Sequence, residues 1–283
     1  MEYREFGRTG VRVSAIGMGT YYDPAYIAIS LLFHYSPNRD KKIAALKKGI
    51  ELGINLIDTA EIYQTEPLVA EAIQDHKRDE LFIATKVWQS HLRHDDVLKA
   101  AQKSLNRLRC SYIDLYQIHW PSSRVPIAET MRAMEKLVHD GKVRYLGVSN
   151  FSLAQTRRAE EALSRSRLAS NQVEYSLKVR DIEKDLIPYC ERNGIAILAY
   201  RPVAHGALAT PDVKLRTVME DVSKKHGGKT PAQIALNWLM NKGKVVFPIP
   251  RASRPERVIE NVGSTGWSLD AEDMTKLEET VAS

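Results

Sequence analysis

A chain of 283 residues holds either two ordinary domains or one large α/β barrel, and 43% hydrophobic with 27% charged residues is the composition of a globular protein with a sizeable core. Its net charge of +6 is spread along the chain without a like-charge block, which argues weakly for anionic small ligands and hardly at all for nucleic acid. Two cysteines, Cys110 and Cys190, supply neither a disulfide framework nor a paired metal motif, and they fit a reducing cytosol. The polar opening is unlike a signal peptide, and the longest apolar stretch, Tyr26 to Phe33, is far below the roughly 20 residues that span a bilayer. A soluble, cytoplasmic, single-domain protein with no membrane partner is expected.

In chain order, Tyr3–Val13 reads as a hairpin turning at Gly10, placed to plug the N-terminal end of whatever follows. A strand at Ala15–Met18 comes next, then the unusual segment Tyr21–Asn38. There Tyr21, Tyr22, Tyr26, Phe33 and Tyr35 interleave with aliphatic residues, as a lid, a substrate wall or an oligomer contact would. His34 within it reads as a solvated loop residue. From here one pattern repeats: a short apolar run, a polar or aromatic residue, then an amphipathic stretch of helical period. The runs are Ile54–Ile57, Leu81–Ala84, Ile113–Ile118, Tyr145–Val148, a fainter one around Leu168–Val173, Ile195–Ala199 and Val245–Phe247. The helical stretches are Lys41–Leu52, Asp95–Leu108, Ala128–Asp140, Leu153–Leu163, Asp181–Asn193, Pro231–Met240 and Ala271–Val281. Thr230 before Pro231, with Gln233 three residues on, is a capping-box start. Alternation of β and α throughout means a parallel sheet. Eight units predict a closed (β/α)8 TIM barrel ahead of an open doubly wound sheet.

Barrels place their chemistry where strands end. The strand tips here are Asp58, Lys86, His119, Ser149, Gln172 and Tyr200, spaced by roughly one βα unit. Asp58, Lys86 or His119 singly could be an ion pair or a cap; three ionisable tips on one face are harder to dismiss. Tyr63, five residues after Asp58, can fold over the same mouth. Those four form a proton machine on paper. A phenol titrates near ~10, and an ammonium beside it is expected to lower that value. Lys86 supplies the ammonium, Asp58 holds it, and His119 orients a carbonyl. His91 and His94 lack a third ligand, so no metal is expected.

These residues resemble the aldo-keto reductase family, in its short, prokaryotic-type form. Gly53–Tyr63 is similar to the family's first signature, Lys142–Phe151 to its second region, and Ile249–Asn261 to its nucleotide-binding end. Asp58, Tyr63, Lys86 and His119 match the catalytic tetrad in order and context. The resemblance implies NADPH-dependent reduction of a small aldehyde or ketone to an alcohol, on a barrel that binds nicotinamide without a Rossmann fold. Consistently, no Gly-x-Gly-x-x-Gly follows a strand. It further implies that Ser149, Asn150 and Gln172 hold the carboxamide and that Tyr200 stacks on the nicotinamide. Arg251 and Arg257 would bind the extra phosphate of NADPH, and Asn261 would contact adenine.

The chain departs from the family pattern at several points. Ala252 stands where a serine is common, Gln64 where a glycine follows the tyrosine, and Arg201 where a serine follows Tyr200. Arg201 could approach the pyrophosphate or an anionic substrate. Trp88 and Trp120 follow two of the tips and, with Tyr21, are expected to line the substrate mouth; rim packing is the alternative for the tryptophans. As a short member the chain would lack the long C-terminal tail of larger relatives. Two other functions use the same residues. A non-catalytic NADPH sensor would keep the nucleotide site alone, and a class I aldolase would use Lys86 as a Schiff-base nucleophile.

Overall fold

The computed structural model describes residues 1–33 and 35–282; His34 lies outside them. Strands β1 (Tyr3–Glu5) and β2 (Arg12–Ser14) pair antiparallel as the hairpin. Eight parallel strands follow in sequential order: β3 (Met18–Gly19), β4 (Leu56–Asp58), β5 (Phe82–Val87), β6 (Ile113–Ile118), β7 (Val143–Ser149), β8 (Leu168–Glu174), β9 (Ala196–Tyr200) and β10 (Val246–Pro248). The last meets the first. Gly17 N donates to Pro248 O at 2.9 Å and Gly19 N to Pro250 O at 3.1 Å, which closes the sheet into a barrel. A Cβ on Gly19 would lie 2.8 Å from Ile249 O, so the seam admits only glycine there.

Strand alternation divides the core in two. Ile57, Ile83, Tyr116, Val148 and Ile197 face outward to the helices, while Leu56, Phe82, Leu115, Leu198 and Phe247 fill the barrel. Phe6 of the hairpin is fully buried against the latter set, its ring 4.7 Å from Phe82 and 5.3 Å from Phe247. The hairpin is therefore the plug the sequence suggests, and it leaves the opposite, C-terminal mouth for chemistry.

The helices are α1 (Pro24–Phe33), α2 (Arg39–Glu51), α3 (Glu66–Ile73), α4 (His94–Leu108), α5 (Ile127–His139), α6 (Leu153–Glu161), α7 (Leu186–Asn193), α8 (Val213–Lys225), α9 (Pro231–Asn241), α10 (Pro255–Val262) and α11 (Ala271–Ala282). Thr230 caps α9 with the reciprocal Gln233 contacts expected. The stretch Asp181–Asn193 is not one helix but a 3-10 turn at Asp181–Glu183 followed by α7. Pro188 explains the break, because its ring forbids a helical carbonyl four residues earlier. The segment after β3 contains α1 rather than a loop. Its sequence is apolar on every side, so no helical period shows, but Asp23 caps it by accepting from Tyr26 N at 2.7 Å. Only Tyr26 and Ser30 of α1 are buried; Leu31, Leu32 and Phe33 are exposed. No helix among the described residues is long and apolar enough to cross a membrane.

Candidate active site

The inward positions of three neighbouring strands change character at the mouth. On β4 the series runs Leu56, Asp58; on β5, Phe82, Ala84, Lys86; on β6, Leu115, Gln117, His119 just past the strand end. Lys86 is completely buried and spends its ammonium on three acceptors: Asp58 Oδ1 at 2.8 Å, Asp58 Oδ2 at 2.7 Å and Thr59 O at 2.8 Å. Gln172 Nε2 donates to Asp58 Oδ1 at 2.8 Å from across the barrel. Burial pulls the Lys86 pKa below its ordinary value, and the Asp58 carboxylate pulls it back up.

Tyr63 sits above this pair. A short 3-10 turn, Glu61–Tyr63, brings the phenol over the mouth, and Gln64 leaves it in the left-handed region at φ 60°. The Tyr63 hydroxyl lies 3.2 Å from His119 Nε2, and its ring centre is 5.1 Å from Lys86 Nζ. The sequence placed all four residues together, and the structure brings them together.

One expectation fails. Lys86 does not lower the Tyr63 pKa in this structure. The phenol is pushed well above its ordinary value, by burial first and then by the Asp58 charge, with Arg201 opposing. The cause is geometric, because the ammonium is neutralised at contact by Asp58 and the ring lies in a dry site. His119 moves the other way. Burial, then Lys86, drops its pKa to about 2, so its imidazole is neutral at physiological pH. Its Nδ1 is buried with no partner among the described residues.

Around these groups, the Tyr21 ring meets Tyr63 edge-on at 5.1 Å and Trp88 meets His119 edge-on at 5.1 Å. Trp120 is exposed. An open groove of about 790 Å³, bounded by Ser30, Tyr35, Gln64 and Leu68, lies beside the turn rather than over the tetrad.

Ser149, Asn150, Gln172 and Tyr200, four of the residues read as cofactor contacts, form a linked arc. Ser149 Oγ donates to Gln172 O at 2.9 Å, and Asn150 Nδ2 donates to His119 O at 3.0 Å. Tyr200 OH donates to Asn150 Oδ1 at 2.9 Å, so the arc is tied to the tetrad through both His119 and Asp58. Arg201 pairs with Glu174 at 3.0 Å and also lies over the Tyr200 ring. Arg251 stands beside Gly19 at the barrel seam, and Arg257 is on the first turn of α10, paired with Glu260. Asn261 lies near the end of α10, its carbonyl accepting from Ser264.

Sequence reasoning missed the supports. Glu61 accepts from Trp88 N and meets His91 Nδ1 at 3.0 Å, joining the Tyr63 turn to the loop after β5. Buried Glu66 accepts from Thr85 Oγ1 at 2.7 Å and from Arg107 Nε at 2.5 Å. A carboxylate next to the tyrosine signature was the only available hint, and nothing local distinguishes it from a helix-start acid. His94 pairs with Asp95 instead of a metal set, and no metal-type cluster occurs among the described residues.

A phenol and a neutral imidazole lie in contact at the mouth of a (β/α)8 barrel, over a buried ion pair. Comparison with known proteins gives the family to which such a barrel belongs. The aldo/keto reductase family profile matches residues 25–282. A glyoxal reductase of Bacillus subtilis is 37% identical over 245 residues, 85% of this chain and 84% of the relative. A methylglyoxal reductase of Escherichia coli is 32% identical over 271 residues, 95% of this chain and 91% of the relative. A solved thermostable aldo-keto reductase in complex with epalrestat superposes with a TM-score of 0.89 at 38% identity, covering 99% of this chain and 100% of that one. An aldo/keto reductase of Klebsiella pneumoniae, solved with NADP and acetate, gives 0.84 at 32% identity, covering 99% and 95%. The chain belongs to the aldo/keto reductase family.

Proposed function

We propose that this chain reduces small aldehydes and ketones to alcohols with NADPH, that 2-oxoaldehydes of the methylglyoxal type are its best substrates, and that Tyr63 gives the proton. The substrate class rests on the glyoxal and methylglyoxal reductases among its relatives. The observation that carries the proton role is the Tyr63 hydroxyl held at His119 Nε2 above the buried Asp58–Lys86 pair.

The residues present fit the nucleotide. Arg251 and Arg254 are exposed and form no ion pair among the described residues, and Arg257 joins them at the start of α10. Guanidinium groups at a helix start suit a phosphate monoester. Ser149, Asn150 and Gln172 offer hydroxyl and amide groups for a carboxamide, and Tyr200 offers an aromatic face. When bound, NADPH supplies the hydride.

The chain's own part is proton management. A buried N–H without a partner is rarer and costlier than a buried lone pair without one. Because His119 Nδ1 is the orphan, the favoured tautomer puts the proton on Nε2, donating to the Tyr63 oxygen. The Tyr63 proton is then free to point into the mouth at a substrate oxygen. The raised pKa keeps that proton in place until an alkoxide, a far stronger base, forms beside it. Tyr21 and Trp88 shield the contact from water on two sides. Tyr63→Phe is expected to keep NADPH binding and to lose methylglyoxal reduction by about three orders of magnitude. Turnover at the wild-type rate would sink the proton role.

A further inference from the structure

Tyr63 is carried on a turn with no strand of its own to hold it, and its hydroxyl must still stay in register with His119. Catalytic groups need placement to within about 0.5 Å. What fixes the turn lies two residues later in the chain.

Thr65 precedes α3 and is fully buried, yet its side chain makes no capping bond to the helix. Its hydroxyl instead meets Thr20 Oγ1 at 2.8 Å and Thr59 Oγ1 at 2.9 Å. The protons of this chain can be assigned by counting. Thr20 donates its single proton to Asp58 O at 3.0 Å. Thr65 must therefore donate to Thr20, and Thr59 must donate to Thr65. All three hydroxyls are then used, in one direction, in a site without exposure.

Both ends of the chain belong to the Lys86 cage. It terminates on the carbonyl of Asp58, and it begins at Thr59, whose own carbonyl is the third acceptor of Lys86. Glu66, next in sequence, pins the same helix start to Thr85 and Arg107 on the other side. The turn bearing Tyr63 is thus referenced directly to the groups beneath the phenol.

We propose that Thr65 is a positioning residue for the proton transfer, holding Tyr63 over the Asp58–Lys86 pair through the Thr59–Thr65–Thr20 hydroxyl chain. This rests on the reading of Tyr63 as proton donor. Thr65→Val keeps the shape and removes the hydroxyl, and Thr65→Ser keeps the hydroxyl. A displacement of about 1 Å in an active site can cost about 100-fold.

The test measures kcat and KM for methylglyoxal and the Kd for NADPH in Thr65→Val, Thr65→Ser, Tyr63→Phe and the Tyr63→Phe/Thr65→Val double variant. Expected for Thr65→Val is a kcat lower by about 30- to 100-fold, with the NADPH Kd within about twofold. Thr65→Ser is expected to recover to within about threefold, and the double variant to be no slower than Tyr63→Phe alone. A Thr65→Val enzyme with normal kcat, a failure of serine to rescue, or additive losses in the double variant would each overturn the proposal. Normal activity in Tyr63→Phe would instead remove the proton-donor reading, and the panel tells the two apart. Should Thr65→Val not fold, Thr20→Val breaks the chain at its other end and carries the same expectation.

Discussion

Lys86 lies beneath the Tyr63 ring, its Nζ 5.1 Å from the ring centre, yet all three of its hydrogen bonds go to Asp58 and Thr59. The ammonium is thus a locked half of an ion pair, and burial sets the phenol's proton affinity. It follows that reduction should show no loss from Tyr63 ionisation between about pH 6 and about pH 9. A pH profile of kcat for methylglyoxal reduction checks this. A descending limb centred near pH 8, absent from a control with slow hydride transfer at another step, would mean that Lys86 does acidify the phenol.

The same pair makes a prediction about stability. Both side chains are almost entirely buried, with exposures of 0% for Lys86 and 3% for Asp58. Removing one partner of a buried pair costs about 3–5 kcal/mol because the other charge is stranded. Lys86→Met alone should therefore lose about that much in urea unfolding. Asp58→Asn/Lys86→Met should lose less than Lys86→Met, since the stranded carboxylate is gone. A double variant weaker than the single would show that packing, and not charge, dominates.

How far the sequence foretold this site follows from the kind of signal each part leaves. Asp58, Lys86 and His119 close apolar runs that any buried strand must have, so their shared face was legible from alternation alone. Helices α4 and α5 show a clear helical period because each packs one face on the barrel, whereas α9 is buried over most of its length and was marked by its capping box instead. Helix α1 shows none, and only Asp23-Pro24 marked its start. The threonines were illegible for a different reason. Thr20 follows β3, while Thr59 and Thr65 stand at the two ends of the connection from β4 to α3, and nothing local in a threonine says that its hydroxyl points at another. The Tyr63 pKa failed because proximity was readable and desolvation was not. A sequence places an ammonium near a phenol, but only coordinates tell that Asp58 already neutralises it.

His119 couples the site to acid stability. Its pKa falls from 6.5 to about 2 on folding, because burial and Lys86 disfavour the imidazolium. The unfolded chain then binds a proton that the folded one refuses, so stability falls as pH drops below about 6.5 and continues to fall towards about 2. Integrated from pH 7 to pH 5, one such group costs about 2 kcal/mol. His119→Asn should therefore lose about 2 kcal/mol less than wild type over that interval in urea unfolding. Equal losses would place His119 in contact with solvent.

Arg251 and Arg257 differ in one respect that bears on nucleotide choice. Arg257 is paired with Glu260, whereas Arg251 has no carboxylate partner among the described residues. A phosphate must compete with Glu260 for the first and finds the second free. Arg251→Ala should weaken NADPH binding by about 10- to 100-fold, the worth of a charge-assisted contact, and leave NADH within about threefold. Arg257→Ala should discriminate less, and Glu260→Gln should tighten NADPH by freeing that guanidinium. Fluorescence titration of both nucleotides at one ionic strength reads all three, because such contacts are screened by salt. If Arg251→Ala weakened the two nucleotides equally, the guanidinium would serve a part they share, and the extra phosphate would need another partner, with Arg254 the nearest cation in sequence that has no ion pair among the described residues.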